Sequence, residues 1–109
     1  MISERLKNEI IEKVSTRKPY KVILFGSRAS GISNETSDID LLIVLNTNEM
    51  PKSYKERSSN YLEINRLLRD INKKVSIDLV VMTKAQWERF NELDSGFSRE
   101  VNSKGIHLI

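Results

Sequence analysis

Residues 25–44 read FGSRASGISNETSDIDLLIV, and the reading of this stretch decides the fold. A run of apolar residues, Leu41 to Leu45, begins directly after Asp38 and Asp40. Burying an isolated carboxylate costs several kcal/mol or forces it to take up a proton. Two aspartates heading a core strand therefore point to a partner that rewards them, and the Gly-Ser turn just upstream points to a site. In a strand, residues i and i+2 share a face about 6.6 Å apart at ~3.3 Å rise per residue. Asp38 and Asp40 thus face one way, with Ile39 and Leu41 facing the other. Two carboxylates so placed repel unless a cation lies between them, and Mg²⁺, which takes hard oxygen ligands, suits them.

The rest of the chain supplies the frame. Tyr20 to Phe25 is β-branched and aromatic and reads as a strand ending at Gly26; a short helical turn over 28–30 and a polar loop through Ser37 follow. Asp38 to Leu45 is a second strand, continuous enough in apolar residues to be central and covered on both faces. Val75 to Met82 is a third, and Asp78 is the one charge within it. With Asp78 level with Asp40 on a neighbouring strand, three carboxylates would share one sheet face. Ile2, Leu6, Ile10 and Val14 recur at helical spacing, giving a helix over 3–16 that ends before Pro19. Tyr54, Tyr61, Ile64, Leu68 and Ile71 form an apolar stripe on a long helix over 53–72, which places both tyrosines in the core. Thr83 is an N-cap for a short helix around 86–91, whose Trp87 and Phe90 pack on the sheet. A last helix stops at Gly105, and residues 106–109 suit a short terminal strand holding His107. The fold class expected is α/β (α+β), a small mixed sheet with helices packed on it.

Composition narrows the function. At 109 residues, with 30% charged and 39% hydrophobic, the chain suits one compact globular domain, 1–109. No apolar run reaches the ~20 residues of a membrane helix, and the first residues carry no signal-peptide core, so the expectation is a cytoplasmic protein. Zero cysteines exclude disulfides and thiolate zinc, and a single histidine makes a Ser-His-Asp triad or a histidine-rich metal site improbable. The net charge is +3, and residues 52–74 hold seven bases against three acids. That segment reads as a solvated helix face or as a surface for an anionic partner.

The turn GSRASG suits a phosphate. Gly26 lets the backbone bend and approach a ligand, and main-chain N–H groups after it point at an anion. Ser27 adds a hydroxyl, while Arg28 either adds a phosphate-binding guanidinium or forms a structural salt bridge. It is not a P-loop, lacking the Gly-Lys-Ser/Thr ending.

Strand, Gly26-Ser27, ten intervening residues, Asp38-x-Asp40 opening a second strand and Asp78 within a third: this order resembles the DNA polymerase beta-like nucleotidyltransferase superfamily. It is most similar to the minimal nucleotidyltransferase branch found in HEPN/MNT toxin–antitoxin pairs. The resemblance spans about Tyr20 to Met82, with the tail similar to the closing helix and strand of such proteins. It implies that Asp38 and Asp40 ligate two Mg²⁺ ions and that Asp78 binds the catalytic metal and helps deprotonate the acceptor. It also implies that Gly26 and Ser27, with Arg28 as a common companion, hold the β- and γ-phosphates of a nucleoside triphosphate, ATP first. The reaction implied is attack of an acceptor hydroxyl on the α-phosphorus with departure of pyrophosphate. Larger relatives hold a polynucleotide or antibiotic with a C-terminal helical domain, and none is expected here. The expectation is therefore an acceptor held by a second protein or by a copy of the chain itself. In the minimal branch the enzyme is an antitoxin that adds AMP to a tyrosine of a small all-helical HEPN partner. Two other readings stay open: a non-catalytic module that neutralises such a partner by occlusion, and a nucleic-acid nucleotidyltransferase that uses the basic 52–74 segment.

Overall fold

The structure, a computed structural model, describes residues 4–26 and 38–109. The expected turn and polar loop over 28–37, with Ser27 and Arg28, lie outside the described residues. Helix α1 (Glu4–Ser15) turns Ile10 and Val14 inward and leads into β1 (Lys21–Phe25). Strand β2 (Ile39–Leu45) is buried at every position but Asp40. Helix α2 (Tyr54–Leu67) opens on Ser53, whose side chain accepts from the Glu56 N–H at 3.2 Å. The short α3 (Arg69–Asn72), β3 (Ile77–Thr83), α4 (Lys84–Glu92), α5 (Gly96–Lys104) and β4 (Ile106–His107) complete the order.

The sheet runs β3-β2-β1-β4. β1 is antiparallel to both β2 and β4, whereas β2 and β3 are parallel. A parallel pair needs a long crossover, and α2 with α3 supplies it. Alternation along the strands then sorts the side chains. Val22, Leu24, Leu41, Ile43 and Leu45 pack with Ile10, Val14, Ile64, Leu68 and Ile71 of α1, α2 and α3. On the other face Ile23, Leu42 and Val44 pack with Trp87 and Val101 of α4 and α5. β2 is therefore covered on both sides, as its unbroken apolar run requires. Among the described residues no helix is long and apolar enough to cross a membrane.

Three expectations change in detail. The helix over 53–72 is two helices: Leu68 takes φ −95°, ψ 6° between them, and both Leu68 and Ile71 stay buried. Tyr54 and Tyr61 are 79% and 40% exposed rather than core. The turns between them, Lys55 to Asn60, are polar, so no apolar face closes around either ring, and burial on this helix begins at Ile64. The third strand starts at Ile77 and not Val75, because Asn72 Oδ1 accepts from the Ile77 N–H at 2.8 Å and keeps the preceding residues in a turn. By contrast Thr83 caps α4 as expected, in a reciprocal box. Its hydroxyl accepts from the Gln86 N–H at 3.2 Å, and the Gln86 side chain accepts from the Thr83 N–H at 2.9 Å.

Candidate active site

Because β1 runs opposite to β2 and β3, the end of β1 and the starts of β2 and β3 meet at one end of the sheet. Phe25 pairs with Asp40, and Asp40 pairs with Asp78. The register assumed from the sequence alone is the one observed. Paired residues share a face, so Phe25, Asp40 and Asp78 lie in a row on the side covered further along by α4 and α5. Asp38, two residues before Asp40, precedes the strand and is exposed, as is Asp78, while Asp40 is half-buried.

Gly26 closes the row. Its φ is +75°, the left-handed region that an L side chain enters only at a cost. A Cβ built there would overlap Asp40 Oδ2 and sit 3.0 Å from Asp40 Cγ. The turn therefore needs glycine twice over: for its backbone angle and for the carboxylate lying against it. This places the first residue of the expected phosphate turn directly against the second expected metal ligand.

The electrostatics follow from the crowding. The Asp40 carboxyl is held above the ordinary carboxylate range, first by burial and then by the neighbouring charges of Asp78 and Asp38. A side-chain hydrogen bond with Asp78 and the charge of Glu100 push it the same way. In its protonated form Asp40 donates to Asp78, a proton doing what a cation would do for two adjacent carboxylates. Among the described residues no group of three carboxylates or imidazoles is closed tightly enough to hold a metal ion as it stands. The chemistry of the donor set nonetheless fits a hard divalent cation. Oxygen ligands from two paired strands and the residue before one of them crowd together around Asp40. Asp38, Asp40 and Asp78 are the residues that would hold it.

Sequence reasoning missed the far wall. Phe97 and Glu100 stand one turn apart on α5, Phe97 in edge contact with Phe25 at 5.3 Å between ring centres. The signal was present as an i, i+3 pair in GFSREV, but only the packing of α5 on β1 shows which face it turns. A separate cleft of about 420 Å³, lined by Arg17, Thr47, Glu49, Glu56 and Thr83, opens at the opposite end of β2 and β3. It lies away from the carboxylates.

An Asp-x-Asp at the head of one strand, a third Asp level with Asp40 on the next, and a glycine turn pressed against Asp40 are the arrangement expected of a nucleotidyltransferase domain of the polymerase beta kind. Over residues 8–108 the sequence matches the family described as Polymerase beta, Nucleotidyltransferase, and the chain belongs to that family. Its fold is similar to that of a toxin–antitoxin crystal structure determined with AMP-PNP, at TM-score 0.60 and 20% identity over 94% of this chain and 72% of that one. It is also similar to a proposed nucleotidyltransferase from Sulfolobus solfataricus, at TM-score 0.59 and 24% identity over 94% of this chain and 76% of that one. No curated protein matches the sequence.

Proposed function

We propose that the chain transfers a nucleoside monophosphate, AMP from ATP, to a hydroxyl acceptor in a Mg²⁺-dependent reaction. The observation that carries this reading is the Phe25–Asp40–Asp78 register with Gly26 folded against Asp40. The acceptor is a tyrosine of a small all-helical HEPN-type partner, and the chain acts as its antitoxin. The similarity to a toxin–antitoxin structure holding an ATP analogue supports that choice.

Each residue then has a task. Gly26 lets the main chain approach the β- and γ-phosphates, and Ser27 and Arg28 add a hydroxyl and a guanidinium there. Asp38, Asp40 and Asp78 would hold the two Mg²⁺ ions that accompany the triphosphate, which when bound would supply neutralisation of charge on the departing pyrophosphate and a lower pKa for the attacking hydroxyl. Asp78, on an edge strand of the sheet, receives the proton of the acceptor.

The test is incubation with ATP labelled at the α-phosphate and Mg²⁺, with candidate helical partner, tRNA or buffer, and with Asp38→Ala/Asp40→Ala as control. Label on the protein partner, absent with the double variant, supports the reading. Label on RNA moves it to a tailing enzyme. Tight partner binding with no label on any acceptor removes the catalytic reading in favour of occlusion.

A further inference from the structure

We propose that Phe97 is the platform on which the nucleobase of the bound nucleoside triphosphate stacks. The assignment rests on the nucleotide-transfer reading and names the residue that grips the part of the substrate the carboxylates and the glycine turn do not touch.

Three observations locate it. A continuous line of rings crosses the face that carries the carboxylates: Trp87 to Phe90 at 5.7 Å, Phe90 to Phe97 at 5.2 Å, and Phe97 to Phe25 at 5.3 Å. The line ends beside the site, because Phe25 is the strand partner of Asp40 and immediately precedes Gly26. Within the line burial is uneven: Trp87 is 7% exposed, whereas Phe97 is 39% exposed. A large ring so placed leaves more than a third of its surface to solvent, although it makes T-shaped contacts with both neighbours, at 72° and 61°.

Glu100 lies one helical turn beyond Phe97 on the same side of α5. The Phe97–Phe25 ring contact turns that side of the helix toward the strand that pairs with Asp40. Phe97 touches Phe25, the strand partner of Asp40, and a partly exposed aromatic ring beside the carboxylates offers a base a stacking surface with no hydrogen-bond pattern. Recognition by stacking is tolerant of base identity, with purines favoured for their larger π-face.

The experiment compares binding of Mg²⁺-ATP and Mg²⁺-tripolyphosphate, which lacks base and sugar, to the full chain by calorimetry. Phe97→Leu keeps an apolar side chain against Phe25 and Phe90, and Phe97→Trp keeps the stacking surface. Phe97→Leu is expected to weaken ATP about tenfold, the ordinary worth of one stacked base. Phe97→Trp is expected to hold ATP within a factor of two or so of the parent on the same ground. Tripolyphosphate binding stays unchanged in both. Unchanged ATP binding by Phe97→Leu, or equal weakening of both ligands, overturns the platform and leaves the transfer reading standing. Failure of the unaltered chain to bind either ligand overturns the transfer reading, and the platform with it.

Discussion

Replacing Gly26 with alanine tests the core of the site, because the structure assigns the glycine two separable costs. The first is conformational: alanine at φ +75° sits in the left-handed region at roughly 1–2 kcal/mol. Lost freedom of the unfolded chain returns about 0.4–1 kcal/mol of that. The second is steric, since the new Cβ overlaps Asp40 Oδ2 and must displace a half-buried carboxylate. Overpacking of this kind costs about 1–3 kcal/mol. Gly26→Ala should therefore lose about 2–4 kcal/mol in urea unfolding. In an Asp40→Ala background the nearest atom left is the Asp40 Cβ at 3.4 Å, an ordinary contact, so only the conformational cost of ~1 kcal/mol should remain. The coupling between the two sites, about 1–3 kcal/mol, is what a double-mutant cycle measures. An equal cost in both backgrounds would show that the glycine serves the backbone alone and that the carboxylate does not lean on it.

Asp40→Asn bears on the pH dependence. The folded-state pKa of Asp40 is raised, so its protonated form favours the fold; that contribution is complete below the unfolded value and is lost as pH rises through the folded one. The metal-free variant should thus outlast the parent in urea at neutral pH, with the gap closing in acid; a constant gap refutes the burial argument. Mg²⁺ with ATP should raise the melting temperature of the parent and leave that of Asp40→Asn unmoved, read in one calorimetric series. Asp78→Asn should cut AMP transfer by about a hundredfold or more, the scale of losing one charge-stabilising group, while far-ultraviolet circular dichroism stays the same. Thr83→Ala removes the hydroxyl half of the α4 cap and leaves the Gln86 side chain on the residue-83 N–H; it should cost about 1 kcal/mol without altering transfer.

Much of this was legible in the strands. A period-two reading of DIDLLIVL puts both aspartates on one face, and its unbroken apolar character demands cover on both sides, which α1 to α3 and α4 with α5 provide. What alternation cannot supply is register between strands distant in sequence. The pairing of Asp40 with Asp78 is a property of the parallel ladder, and no local pattern encodes it. The same limit hid Phe97 and Glu100. Their helix was foreseen, but the face it turns to the sheet is set by Val101 against Ile23 and Leu42 and by Gly105, where the chain passes close to Ile23. Helical spacing misled at Tyr54 and Tyr61, since a stripe records which residues align and says nothing of how far the neighbouring layer extends.

The parallel β2–β3 pair also dictates when the chemistry can exist. Asp38 and Asp40 lie near Gly26 in sequence, whereas Asp78 is separated from them by the whole α2–α3 crossover. Contacts of such separation close late, after the entropy of a long loop has been overcome. Divalent-cation affinity should then be the last native property to appear during refolding, trailing the helical signal. A chain still emerging from the ribosome would carry an Asp-x-Asp that is inert until β3 is in place.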